Sequence, residues 1–179
     1  MLVETCQLLS GVWHVTQPSA LEFEYIDLDS LWSDRKVLPY DTPGGAYHLG
    51  RQRIYKPTHL NHPSAKWARE STGNYDWLWR LGAELLVECK FRFKKDHASG
   101  PVLYTLEGAP TTLKEGAQTQ PTPVVPEELC VSENGYYDSI SSYRSLYVGA
   151  KQALLVWTRR EPPAWLVQRN NRWELAARA

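Results

Sequence analysis

Long apolar runs are missing from the chain. No stretch approaches the ~18 consecutive apolar residues that a membrane-spanning helix needs, and Met1-Leu2-Val3-Glu4 has neither the basic start nor the apolar core of a signal or transit peptide. A soluble, unexported, cytoplasmic protein is expected, with no membrane partner. Cysteine is scarce: Cys6, Cys89 and Cys130 are odd in number and lack CxxC spacing, which fits a reducing compartment and neither a disulfide framework nor a zinc knuckle. Net charge is absent as well, since 20 Lys plus Arg balance 20 Asp plus Glu. No global positive field draws nucleic acid, and any such binding depends on a local patch. The Gly44-Gly45 pair runs into Ala46-Tyr47 and is not a phosphate loop, and neither a GxSxG elbow nor a kinase motif set is present. Hydrolases and kinases recognisable by motif are therefore disfavoured. No internal repeat occurs, which excludes a solenoid.

Aromatic residues are in surplus, with 8 Trp and 10 Tyr among 179 residues, and a chain of that length is one domain's worth of sequence with a real core. Leu2, Cys6, Leu9 and Trp13 recur at helical spacing, while Glu4, Gln7, Gly11 and His14 share the opposite stripe. This predicts an amphipathic helix over residues 2–16, closed by Pro18. Residues 17–60 carry scattered Pro and Gly without sustained periodicity and are expected as a long loop, with room for a short helix around Ser30 to Arg35. Asn61-His62-Pro63 reads as a helix start. After a cap at Ser71 or Thr72, Tyr75, Leu78, Gly82, Leu85, Cys89 and Phe93 predict a long helix whose other face carries Arg80, Glu84, Glu88 and Arg92. Pro101, Pro110, Pro121, Pro123 and Pro126 make residues 100–135 a second long loop. Asp138 caps an expected last long helix with Ile140, Tyr143, Tyr147, Leu154 and Trp157 inward and Arg159-Arg160 at its end, before a C-terminal tail at 166–179 that is a short helix or frayed. The expected architecture is all-α: a single-domain helical bundle, residues 1–179, of three main helices joined by long irregular connections.

The densest polar-aromatic segment runs from Asn61 to Leu78, where hydrogen-bonding residues alternate with large rings. It suits a pocket for a nucleobase, which needs stacking faces and edge-directed donors, and equally a set of helix caps and core aromatics. His59, His62 and His97 with Glu84 and Glu88 invite a metal hypothesis, yet no pair has the HExxH pattern, and neither a metal nor a cofactor is assigned. Glu4 is the most suggestive single acid. Its stripe on the first helix could face a cleft against the second, or it could simply favour the positive end of the helix dipole.

Val3-Glu4-Thr5-Cys6-Gln7-Leu8-Leu9-Ser10, then Tyr55-Lys56-Pro57-Thr58-His59 leading into Asn61-His62-Pro63, Trp67, Arg69, Ser71, Asn74-Tyr75 and Trp77-Leu78, together resemble a family of mostly uncharacterised bacteriophage proteins. Glu88, Arg92, Lys95 and His97, then Tyr143-Arg144, Tyr147, Lys151, Trp157-Thr158, Arg160 and Pro163 to Trp165 extend the resemblance over most of the chain outside residues 17–54 and 100–135. That family is more remotely similar to the pyrimidine-dimer DNA glycosylases of the endonuclease V type. Those are small all-α single domains in which an amino-terminal amine attacks the sugar carbon of the damaged nucleotide and a glutamate on the first long helix manages protons.

The resemblance implies a phage-type protein that acts on DNA in the infected host's cytoplasm, a glycosylase/lyase or base-processing enzyme on damaged or modified pyrimidines. It implies Glu4 as the acid/base group, with Glu88 as a second catalytic carboxylate. Arg69, Arg92 and Lys95 would contact phosphates, Trp67, Asn74 and Trp77 would wall the base, and His62 and His97 would complete the substrate-binding set. The terminal amine is expected on Met1, one helical turn from Glu4, and turnover by the amine route is expected only with an added leading segment. The alternatives are a phage nucleotide or DNA-base modification factor using the same pocket, and a noncatalytic helical binding protein. Glu4, His62 and Glu88 are expected to lie near one another, because the first helix and the long helix carry the two polar stripes that could face a common cleft.

Overall fold

The computed structural model describes residues 1–24, 46–157 and 159–176, so the short helix expected around Ser30 to Arg35 lies outside the described residues. The chain divides into two compact units, Met1–Thr119 and Gln120–Ala179.

In the first unit, helix α1 (Leu2–Thr16) buries Leu2, Cys6 and Leu9 of the stripe that its sequence predicts, with Val12 buried and Trp13 only partly so. Strands β1 (Leu21–Glu24), β2 (Ala46–Leu49) and β3 (Gln52–Ile54) form an antiparallel sheet in that order. Gly50, with φ 61°, supplies the left-handed turn between β2 and β3. Helix α2 (Pro63–Ala68) follows with proline in its first turn, where a missing N–H is harmless. The longest helix, α3 (Thr72–Phe93), starts at Ser71, whose hydroxyl accepts the Asn74 N–H at 3.2 Å, and ends at Lys94 in the left-handed conformation. Helix α4 (Gly100–Thr105) delivers Val102 and Leu103 to the core.

The core of this unit gathers the α1 stripe, Ile54, Tyr55, Trp67, Tyr75, Leu78, Val102, Leu103 and Leu106. Tyr75 closes it with a chain of bonds: the Trp13 indole N–H donates to its oxygen at 2.9 Å, and its own O–H donates to the Leu106 carbonyl at 2.8 Å. Burial holds this phenol in its neutral form by raising its pKa, and the neutral form is the one that can donate.

The second unit opens on a hairpin of β4 (Ser132–Glu133) and β5 (Tyr136–Tyr137), turned at Asn134 and Gly135, both with positive φ. Helix α5 (Ser139–Val148) is capped by Asp138, whose carboxylate accepts the Ser141 N–H at 2.9 Å. A second hairpin, β6 (Leu166–Arg169) with β7 (Arg172–Leu175), turns at Asn170-Asn171, again with positive φ.

The fold is therefore mixed α/β, 44% helical and 15% strand, with five helices and three small antiparallel sheets among the described residues. This overturns the all-α bundle expected from the sequence. Two-residue turns of Gly, Asn-Gly and Asn-Asn build hairpins that proline and polar content had made to look like loops. Segment 17–60 holds β1 to β3, segment 100–135 holds α4, and the tail at 166–179 holds the β6–β7 hairpin. The last long helix is also shorter than expected. It stops at Gly149, and Ile140, Tyr143 and Leu154, expected inward, are exposed, while Leu146 is the apolar residue of α5 that is buried.

Candidate functional site

Two segments meet along the outer stripe of α1. The first contact is made by Ser10, whose hydroxyl accepts the Tyr55 N–H at 3.2 Å, and by His14, whose Nε2 lies 3.0 Å from the Tyr55 carbonyl. Between these two residues, Gly11 leaves room for Leu60, whose Cδ2 would stand 3.3 Å from a β-carbon there. The strand leaving β3 is thus laid along α1, and its continuation carries Thr58, His59 and His62 to the helix's first two turns.

A tight turn then presents the imidazoles. His59 adopts φ 49°, its Nδ1 lies 2.7 Å from the Thr58 hydroxyl, and its carbonyl accepts the His62 N–H at 2.8 Å. His62 caps α2, its Nδ1 accepting the Ser64 N–H at 3.2 Å. That bond places the proton of the neutral ring on Nε2, which leaves His62 with a donor at its outer edge. Arg69 fastens the turn from below: one guanidinium nitrogen donates to the Leu60 carbonyl at 2.7 Å and to the Ala65 carbonyl at 3.3 Å.

The result is a cleft of about 240 Å³ lined by Glu4, Gln7, Leu8, Thr58, His59 and His62. Glu4, Gln7 and Leu8 are one helical turn apart and so share a face. The Glu4 carboxylate is exposed and engages no hydrogen bond or ion pair among the described residues. A carboxylate acceptor, a side-chain amide and two imidazoles can exchange a proton with a bound group and fix its orientation at the same time.

The structure thus brings Glu4 and His62 together and disperses the rest. Glu88 is not among the cleft's described lining residues; it pairs with Arg92 on α3 at 2.6 Å. His97 lines a different cleft of about 280 Å³ with Lys90, Asp96 and Tyr104, and its Nδ1 accepts the Ser99 N–H at 3.1 Å. Lys95 is exposed just beyond α3 and lines neither cleft. Trp67 is buried, donates from its indole to the Thr119 carbonyl at 3.0 Å, and meets the half-exposed Trp77 edge-on at 5.6 Å. The Asn74 amide is fully buried between the Trp67 carbonyl at 2.8 Å and Thr119, whose N–H it accepts at 2.7 Å.

Sequence reasoning gave no role to Thr58 or Gln7. The signal for Gln7 was present in its position one turn beyond Glu4, whereas Thr58 joins the cleft through the path of the chain after β3, which no local spacing encodes. Among the described residues no group of three His, Cys, Asp or Glu side chains is placed to hold a metal ion, and no helix is long and apolar enough to cross a membrane. Comparison of the chain with protein-family models, with curated proteins and with solved structures finds no match.

Proposed function

We propose that the protein is a phage-type enzyme that processes single pyrimidine nucleotides of DNA in the cytoplasm of the infected host, with the Glu4 cleft as its working site. One observation carries the reading: Glu4 and His62, which come from distant parts of the chain, line the same open cleft. The volume lies just below the ~300–1,000 Å³ of drug-sized pockets and suits one base or one sugar. A damaged or modified base would have to be turned out of the duplex to reach it.

The chemistry that fits these groups is hydrolysis of the bond between sugar and base. Glu4 takes a proton from water as the water oxygen bonds to the sugar carbon. The base leaves with the bond's electron pair, and the Nε2–H of His62 supplies a proton to it. Arg69 acts as a positioning residue that holds the turn, and phosphate contacts fall to lysines flanking the cleft segments, Lys56 and Lys66.

End-labelled duplexes containing a thymine dimer or a uracil, incubated at low salt and then cleaved with alkali, test this. Glu4→Gln should reduce base release by about 10²–10⁴-fold with the fold intact. Binding should weaken steeply as salt is raised. Full activity of Glu4→Gln, or no binding at any salt, overturns the reading. A second reading, a noncatalytic binding protein, is favoured by the use of Trp67, Arg69 and Asn74 polar atoms on backbone partners. DNA binding without base release on either substrate would select it.

A further inference from the structure

The second unit holds a larger cleft, about 450 Å³, lined by Trp157, Arg159, Arg160, Glu161, Pro162, Gln168 and Trp173. The hairpin explains half of it. Gln168 and Trp173 are direct partners in the β6–β7 register, so their side chains stand together on one face. Trp173 is held there by its carbonyl, which accepts from the Gln152 side chain at 3.1 Å.

Trp157 supplies the second observation. Its indole N–H is buried and has no hydrogen-bond partner, the only such side-chain atom among the described residues. A buried donor without an acceptor is costly, and native proteins rarely leave one so. Trp157 itself lines the cleft that also receives two arginines. Arg159 is exposed and engages no partner among the described residues. A ligand that brings an acceptor to the indole N–H and negative charge to the guanidinium resolves both at once.

We infer that this cleft binds a nucleotide, its phosphate held by Arg159 and its base lying against the indole rings of Trp157 and Trp173. The chemistry selects this class. Planar rings favour a flat π-system, Arg recognises phosphate through two parallel donors, and the Gln168 amide and Glu161 carboxylate offer both polarities to a base edge. A free mononucleotide and a nucleotide within a single DNA strand present the same groups. The site lies wholly in the second unit and does not depend on the Glu4 cleft.

The test is a titration of the full-length chain with deoxycytidine monophosphate, with deoxycytidine, with inorganic phosphate and with a short oligodeoxycytidylate, followed by ¹⁵N indole spectra. The resonance missing in Trp157→Phe identifies the Trp157 indole. Expected is a shift of that resonance with the monophosphate or the oligonucleotide, larger than with phosphate or nucleoside alone. Arg159→Gln, at an exposed position that should not disturb folding, should weaken binding by about tenfold. Trp157→Phe, which keeps a ring and removes the donor, should also weaken it. Tighter binding of the oligonucleotide per nucleotide assigns the source to a DNA strand, and tighter binding of the monophosphate assigns it to a free nucleotide. An unmoved Trp157 resonance with both, or equal affinity in wild type and Arg159→Gln, overturns the inference.

Discussion

The Asn74 amide spends its hydrogen-bonding capacity on groups that have no other solution. Its nitrogen donates to the Trp67 carbonyl and to the Thr119 hydroxyl at 3.0 Å, and its oxygen accepts the Thr119 N–H. Replacing it with alanine would strand several buried polar atoms, so Asn74→Ala should lower stability by about 2–3 kcal/mol, read as a reduced urea midpoint. An unchanged midpoint would mean that water replaces the amide. This residue also shows the limit of sequence reading at the smallest scale. The Asn61-to-Leu78 segment was legible as polar and aromatic, and both a base-holding wall and structural glue were consistent with it. What separates them is the partner at Thr119, far away in the chain, and no local pattern reports such a pairing. His62 and Glu4 were legible for a different reason, since a helix cap and a helical stripe are local signals.

At the scale of elements, Gly73 joins α3 to the segment before Thr119. A β-carbon at that position would stand 2.4 Å from the Gln118 nitrogen, 2.6 Å from the Ala117 carbonyl carbon and 2.7 Å from the Gly116 oxygen. All three are backbone atoms that cannot swing aside. Gly73→Ala should therefore cost about 1–3 kcal/mol despite alanine's better helix propensity, measured by thermal melting. A neutral or stabilising result would show that the 116–118 backbone yields freely. Helices α1 and α3 were readable because each repeats its apolar stripe over several turns and meets a clear stop or cap, Pro18 for the first and Ser71 for the second. The strands were not, because none exceeds four residues, too short for alternation to rise above chance. Their turns were the better signal. Asn134-Gly135 and Asn170-Asn171 both supply residues that tolerate positive φ, and these dipeptides mark the turns of two of the three sheets.

For the molecule as a whole, pH sensitivity should come from His14. Burial lowers its pKa below the ordinary 6.5, only partly offset by the bond to the Tyr55 carbonyl, and Tyr47 packs edge-on against the ring at 4.5 Å. The unfolded chain then binds this proton more readily than the folded one. Stability is fully present above pH 6.5, falls as pH drops from there toward the depressed value, and levels off below it. Urea midpoints measured between about pH 8 and about pH 5 should trace this decline, and His14→Gln should flatten it. A midpoint rising on acidification would contradict the assignment. Cys6 gives the same molecule a clock. Its thiol donates to the Ser99 carbonyl at 3.8 Å, and burial pushes its pKa up to about 12. At neutral pH the reactive thiolate is then on the order of 10⁻⁵ of the population, and that fraction is itself sealed from reagents. Alkylation of Cys6 must therefore wait for the first unit to open, so its rate of labelling, set against those of the partly exposed Cys89 and Cys130, counts opening events one molecule at a time.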